Sequence, residues 1–291
     1  MRILILGVTG MLGSCIYRYF LEEKDVSIIG ILRDQNQKFL LNENISSKLE
    51  IFNEYKTFQK LEKFIADRKP DYVINCLGVI KQKINISKPE DTIFINSYLP
   101  HLLNKISIKN NFKIIHFSTD CVFDGNLGSY KESDIALPKD FYGISKVLGE
   151  LNTNNALTLR TSIIGHELKS SLSLVDWFLS SKKRVNGFTK AIYSGFPALE
   201  IAKIIHKFII PDSSIYGTYN VSSNPISKYE LLKIISKKYN HQVDIVPDEK
   251  IVIDRSLDSS LFNSKTNYKC PSWNKLVQEM YEFHKEHGYI K

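Results

Sequence analysis

In its first half the chain alternates short, β-branched apolar runs with longer amphipathic stretches, and this alternation is the strongest constraint on its fold. Residues 2–6, 26–32, 49–52, 71–77, 112–117 and 156–160 read as strands, and 11–23, 57–69, 88–110 and 140–152 carry helical periodicity. Nearly continuous apolar strands need cover on both faces, and parallel strands need crossovers, which the intervening helices supply. The pattern predicts an α/β fold with a doubly wound parallel Rossmann sheet over residues 1–165. Beyond that the rhythm loosens. Helices are expected near 171–181, 199–208, 227–239 and 272–287, and strands at 191–196 and 215–221. Residues 166–291 are expected to form a smaller C-terminal α/β substrate-binding region at the sheet's C-terminal edge, with roughly 191–221 returning to the Rossmann core.

Composition excludes several classes of function. A chain of 291 residues, 43% hydrophobic and 24% charged, can bury a sizeable core. No apolar run reaches the roughly 18–20 residues that span a bilayer, so a cytoplasmic protein with no membrane partner is expected. Cys15, Cys76, Cys121 and Cys270 are far apart in sequence, with no C-x-x-C; neither a disulfide framework nor a metal is expected. Two glycosylation sequons, at 44–46 and 85–87, carry no weight without a secretion signal. The net charge of +8 is scattered, with only short clusters such as Lys182-Lys183-Arg184. No nucleic-acid-binding motif accompanies it, so the charge suits phosphorylated small molecules better than nucleic acid.

The stretch LILGVTGMLGS sets Gly7, Gly10 and Gly13 directly after the first strand, with Thr9, Met11 and Leu12 between them. Glycines there permit a tight turn and close approach of backbone N–H groups to a pyrophosphate at a helix N-terminus. This predicts a dinucleotide site. Arg33 ends the second strand where an acidic residue would bind a ribose 2′-hydroxyl and an arginine would accept a 2′-phosphate. Asp34 beside it mixes the sign; Arg33 comes first, which favours NADP(H) over NAD(H).

A tyrosine four residues before a lysine occurs at Tyr142/Lys146, Tyr229/Lys233 and Tyr281/Lys285. Each pair stacks on one helix face. Only Tyr142/Lys146 follows a strand that ends in hydroxyls, Ser118-Thr119 before Asp120, at the crevice where a nicotinamide is expected. Tyrosine is a poor acid at its ordinary pKa, and an adjacent ammonium lowers it, so Lys146 is expected to tune Tyr142 for proton transfer. Thr119 is expected to hydrogen-bond the substrate oxygen as charge develops. The other two pairs lie late in the chain on amphipathic stretches and are read as packing and surface residues.

The segments GVTGMLG, VINCLGVIKQ, INSYLPHLL, FSTDCVFDG, GSYKESD, FYGISKVLGE and LTLRTSIIG, in that order, resemble the extended short-chain dehydrogenase/reductase superfamily. Within it the chain is most similar to the dTDP-4-dehydrorhamnose reductase branch. The resemblance covers residues 1–165 well and implies that NADPH delivers hydride to the 4-keto carbon of a nucleotide-activated 6-deoxysugar, in cell-surface polysaccharide biosynthesis. It makes Tyr142 the general acid, Lys146 a contact of the nicotinamide ribose, and Thr119 the partner of the carbonyl. Asn75, Cys76, Leu77, Gly78 and Ser162 would line the cofactor. For the substrate it implies Asp120, Arg255 on the pyrophosphate, and Thr189, Lys190 and Ser194. A homodimer is implied by the resemblance alone.

Three other activities share parts of this pattern. A 4-epimerase shares Tyr-x-x-x-Lys but commonly carries an acidic residue at the position of Arg33. A 4,6-dehydratase needs Asp-Glu after the threonine, and Asp120 is followed by Cys121. A non-catalytic NADP-binding regulatory subunit, as in methionine adenosyltransferase, resembles the same branch.

Overall fold

The computed structural model describes residues 1–41 and 48–288; the 44–46 sequon lies outside the described residues. The strands are β1 (Arg2–Leu6), β2 (Ser27–Leu32), β3 (Leu49–Ile51), β4 (Tyr72–Asn75), β5 (Lys113–Phe117), β6 (Ala156–Arg160), β7 (Ile163–Ile164), β8 (Arg184–Phe188), β9 (Ala191–Tyr193), β10 (Phe196–Pro197), β11 (Gly217–Asn220), β12 (Ile226–Ser227), β13 (Asp244–Asp248) and β14 (Ile253–Asp254). The helices are α1 (Met11–Glu22), α2 (Phe58–Ala66), α3 (Glu90–Ile93), α4 (Leu99–Asn110), α5 (Phe141–Val147), α6 (Leu174–Ser180), α7 (Ala198–Ile204), α8 (Lys228–Tyr239), α9 (Ser260–Thr266) and α10 (Trp273–Glu286). The chain divides into two compact units. One comprises Met1–Ser118, Asp140–Leu159 and Asp212–Thr218, the other Thr119–Lys139, Arg160–Pro211 and Tyr219–Lys291.

The first unit is built on a seven-stranded sheet of order β11-β6-β5-β4-β1-β2-β3, parallel across every pair from β3 to β6. The chain moves outward from β1 through β2 and β3, returns to β4 beside β1, and moves outward again through β5 and β6. That reversal opens a crevice at the C-terminal ends of β1 and β4, where ligands bind in such sheets. Leu6 stands opposite Asn75, so the two strands finish level there. Ile3 to Leu6 are buried, as a strand covered on both faces requires. Leu4, Leu61, Val73, Leu99, Leu103 and Ile114 share one core cluster.

The stretch 88–110 departs from one continuous helix. Between α3 and α4, Phe94–Tyr98 widens into a π-helical segment. Pro100 has no N–H to offer the Asn96 carbonyl, so the turn opens there. Gly149, just past α5, covers the freed oxygen: a Cβ at Gly149 would lie 2.0 Å from it. Asn96 Nδ2 donates to Ser145 Oγ at 3.0 Å and Ser97 Oγ to the Ser145 carbonyl at 2.8 Å. The widened turn therefore clamps the middle of α5.

The second unit carries three small sheets: β7 with β10, β9 between β12 and β14, and β8 with β13. The expected strand at 191–196 breaks into β9 and β10 at Ser194-Gly195, where a Cβ on Gly195 would lie 2.0 Å from the Ser162 carbonyl oxygen. β8, β13, β14 and α9 have no counterpart in the sequence expectation, being short or largely polar. α10 buries Trp273, Leu276, Val277, Met280 and Phe283, a stripe at helical spacing. Among the described residues, no helix is long and apolar enough to cross a membrane.

Gly149→Ala sets a methyl against a backbone oxygen that cannot move aside. It is expected to lower the unfolding free energy by about 1–3 kcal/mol, measured by urea denaturation.

Candidate functional site

In the first unit the glycine turn is fixed by backbone geometry. Gly7 has φ +83°, a left-handed conformation that glycine adopts without penalty, and Gly10 N–H closes the turn on its carbonyl at 3.1 Å. A Cβ on Gly13 would lie 2.2 Å from the same oxygen, so α1 can pack this close to β1 only through a glycine. The helix starts at Met11, two residues before the third glycine. Its N-cap, Gly10, is exposed and offers no side-chain cap, and no acidic residue occupies the first turn. The first-turn N–H groups and the positive end of the helix dipole thus face outward for an anion. Thr9, Met11 and Leu12 are half-buried on this turn. The turn fits a pyrophosphate.

A Cβ on Gly7 would meet the Cys76 carbonyl carbon at 3.1 Å, so residues 75–78 abut the turn at the crevice. Asn75 is buried: its Oδ1 accepts from Leu77 N–H and its Nδ2 faces His116 Nδ1, both at 3.2 Å. With Oδ1 already accepting, Nδ2 donates, which places the His116 proton on Nε2. Burial holds His116 well below the usual histidine range, and the Lys146 and His101 charges push the same way. Asn75 therefore braces the loop from beneath. Cys76 and Leu77 are half-buried and Gly78 is exposed, with the Cys76 thiol pushed up chiefly by burial.

At the end of β2 the two charges of Arg33-Asp34 are disposed differently. The Asp34 carboxylate accepts from Asn36 N–H at 2.9 Å and caps the 3₁₀ turn Gln35–Leu40. Arg33 is exposed, and its charge opposes the burial that raises Tyr55.

α5 is capped by Asp140, whose side chain accepts from Gly143 N–H at 2.8 Å and pairs with Lys81 at 2.7 Å. Tyr142 is half-buried, while Lys146, one turn on, is 5% exposed. Burial pulls Lys146 down to about 8, with the Glu150 carboxylate opposing it. Glu150 accepts from Ser118 Oγ at 2.6 Å. His116 and Glu150 were absent from the residues expected at the site. Glu150 has a sequence signal, the i+4 spacing after Lys146; His116 has none, since a strand histidine reads as an ordinary core residue.

In the second unit Thr119 is buried and caps the 3₁₀ turn Asp120–Val122: Oγ1 donates to Asp120 Oδ1 at 3.1 Å and accepts from Cys121 N–H at 3.2 Å. Burial raises the Asp120 carboxyl, with the Thr119 hydrogen bond and the Arg255 charge opposing. Arg255 donates through Nε to the Phe123 carbonyl at 3.1 Å and through Nη1 to Cys121 Sγ at 3.5 Å. Ser194 Oγ accepts from Leu257 N–H at 3.0 Å. Thr119, Asp120, Ser194 and Arg255 thus belong to segments that touch. Ser162 is half-buried, and its carbonyl accepts from Phe196 N–H at 2.8 Å. Thr189 and Lys190 are occupied elsewhere, Thr189 on the Asp248 carbonyl and Lys190 with Glu249 at 2.7 Å. Of the other tyrosine–lysine pairs, Lys233 sits over the Tyr229 ring and Tyr281 packs edge-on against Tyr239.

The family described as RmlD substrate binding domain matches residues 1–285. The dTDP-4-dehydrorhamnose reductase of Aggregatibacter actinomycetemcomitans is 26% identical over 240 residues, 79% of this chain and 76% of that protein. Methionine adenosyltransferase 2 subunit beta of Xenopus laevis is 29% identical over 254 residues, 82% of this chain and 72% of that protein. The crystal structure of dTDP-4-dehydrorhamnose reductase from Bacillus anthracis in complex with NADP superposes with a TM-score of 0.79 at 21% identity, covering 97% of this chain and 98% of that one. That likeness establishes a common fold.

Lys146 carries a stability cost. Its folded-state pKa lies below its unfolded one, so the burial penalty is present below pH 8 and fades as pH rises from about 8 towards 10.5. Lys146→Met is expected to stabilise the protein at pH 7 by up to about 3 kcal/mol and to flatten the rise in stability across that interval, measured by denaturation at a series of pH values.

Proposed function

Because the chain belongs to the RmlD substrate binding domain family, in the dTDP-4-dehydrorhamnose reductase-like branch of the extended short-chain dehydrogenases/reductases, we propose that it reduces the 4-keto group of a nucleotide-activated 6-deoxysugar with NADPH, in the making of cell-surface polysaccharide. The observation that carries this reading is a buried lysine one turn after a half-buried tyrosine on α5, in the unit whose β1–β4 reversal bears an uncapped glycine turn. Exposed Arg33, with Asp34 occupied as a cap, supports a 2′-phosphate and hence NADPH.

Bound at the turn, NADPH would supply the hydride that reaches the carbonyl carbon. Tyr142 donates its phenolic proton to the carbonyl oxygen, which becomes the product hydroxyl. Lys146 stabilises the phenolate left behind, since it remains largely protonated at neutral pH with its pKa at about 8. Glu150, hydrogen-bonded to Ser118, sustains that charge. The family pattern gives Thr119 the hydrogen bond to the carbonyl oxygen; its hydroxyl is already oriented by Asp120 and Cys121 N–H. Ser162 and residues 75–78 are assigned to the cofactor, and Asp120, Ser194 and Arg255 to the substrate.

The 29% identity to a methionine adenosyltransferase subunit favours a second reading, a regulatory subunit that binds NADP without turning over. NADPH oxidation with dTDP- and UDP-linked 4-keto-6-deoxysugars separates the two. Tyr142→Phe is expected to reduce turnover by ~100-fold or more while NADPH affinity holds; absence of turnover with every such sugar, alongside tight capture of a methionine adenosyltransferase, would establish the regulatory reading.

Arg33→Ala is expected to weaken NADPH binding about tenfold and NADH binding little, in line with loss of one charge-assisted phosphate contact. Titration of both cofactors against both proteins measures it, and an unchanged NADPH preference removes Arg33 from the site.

A further inference from the structure

Asn75 and His116 stand opposite each other across β4 and β5, and both side chains are buried. A side-chain amide can sit either way round, and here the two ways differ in what they leave unpaired. With Nδ2 towards His116 Nδ1 at 3.2 Å, Oδ1 is left to accept from Leu77 N–H at 3.2 Å. Turned over, the amide would set Nδ2 against the Leu77 N–H, donor against donor, and bury both without an acceptor. The first arrangement requires His116 Nδ1 to accept, hence a neutral ring with its proton on Nε2. Burial keeps the ring neutral, and the Lys146 and His101 charges act in the same direction. Nε2 has no hydrogen-bond partner among the described residues, so the ring's polar engagement there is with Asn75.

The Asn75–Leu77 bond closes a short loop over Cys76, and Cys76 is the residue that meets the glycine turn. Its N–H donates to the Leu6 carbonyl at 3.1 Å. Its carbonyl carbon would lie 3.1 Å from a Cβ on Gly7, and its own Cβ 3.2 Å from one on Gly13. The ring, the amide, the Cys76 backbone and the turn therefore form one packed series. We propose that His116 is a positioning residue for the dinucleotide: by holding the Asn75 amide in one orientation it fixes the Cys76 backbone against the Gly7–Gly13 turn, and so sets the affinity for NADPH. The proposal rests on the reading of that turn as the pyrophosphate site.

The test is calorimetric titration with NADPH, at a temperature well below the unfolding midpoint of every variant, where a loss of stability alone leaves affinity unmoved. His116→Leu is expected to weaken NADPH binding about fivefold, in line with loss of one buried hydrogen bond. Asn75→Leu is expected to weaken it at least as much. Adding His116→Leu to Asn75→Leu is expected to change affinity by less than about twofold, because the ring acts only through the amide. Nitrogen-15 NMR, which needs no variant, is expected to show His116 of the wild-type protein protonated on Nε2 alone. Unchanged affinity in His116→Leu, losses that multiply in the double variant, or a ring protonated on Nδ1 each overturns the role of His116 and leaves the dinucleotide site standing. A wild-type protein that binds neither NADPH nor NADH overturns both.

Discussion

A lysine ammonium held out of water is the constraint around which the first unit is arranged. Lys146 is 5% exposed, and burial there works against its charge. α5 is only seven residues long, too short to be stable alone, so its position must come from its neighbours. Asp140 fixes its start, Gly149 lets its end close on the Asn96 carbonyl, and Ser145 is held on both its hydroxyl and its carbonyl by Asn96 and Ser97. The opening of the π-helical turn traces to one residue, Pro100, whose missing N–H frees that carbonyl. A helix defect thus becomes the fixture of the helix that carries Tyr142 and Lys146.

The turn of the second unit is secured by a different device. Thr119 caps the turn that contains Asp120, and Arg255, distant in sequence, grips the same turn at Cys121 and Phe123. Gly125 permits this closeness: its φ is +81°, and a Cβ there would lie 2.5 Å from the Ile253 side chain. An arginine more than a hundred residues on thereby orders the turn that follows Thr119.

Much of the first unit is legible because its signals are local and strong. β1 matches the expected strand residue for residue, since a covered parallel strand must be apolar throughout, and the glycine turn follows from steric necessity at Gly7 and Gly13. The π-helical segment is not legible, because Pro100 lies near a helix start, where proline is ordinarily tolerated. β8 and β13 escape notice because their residues are half polar and pair only with each other. Spacing does not show that the Asp34 carboxylate is engaged as a cap. Glu150 and His116 share a deeper reason. Their significance lies in which polar atom finds a partner, and periodicity carries no information about that.

Each unit buries polar groups that cost the fold. In the first unit Lys146 is buried and the His116 Nε2 has no hydrogen bond among the described residues, and in the second Asp120 is a carboxyl raised by burial. Each would be better tolerated as an apolar residue in a protein selected for stability alone. The apolar packing of Leu4, Val73, Leu103 and Ile114 beneath the sheet can carry such penalties, and sequences that break local rules do so where function requires it. Burial therefore separates the three tyrosine–lysine pairs more sharply than their spacing does. That spacing recurs at Tyr229 and Tyr281, yet there one ring stacks under its own lysine and the other packs against Tyr239.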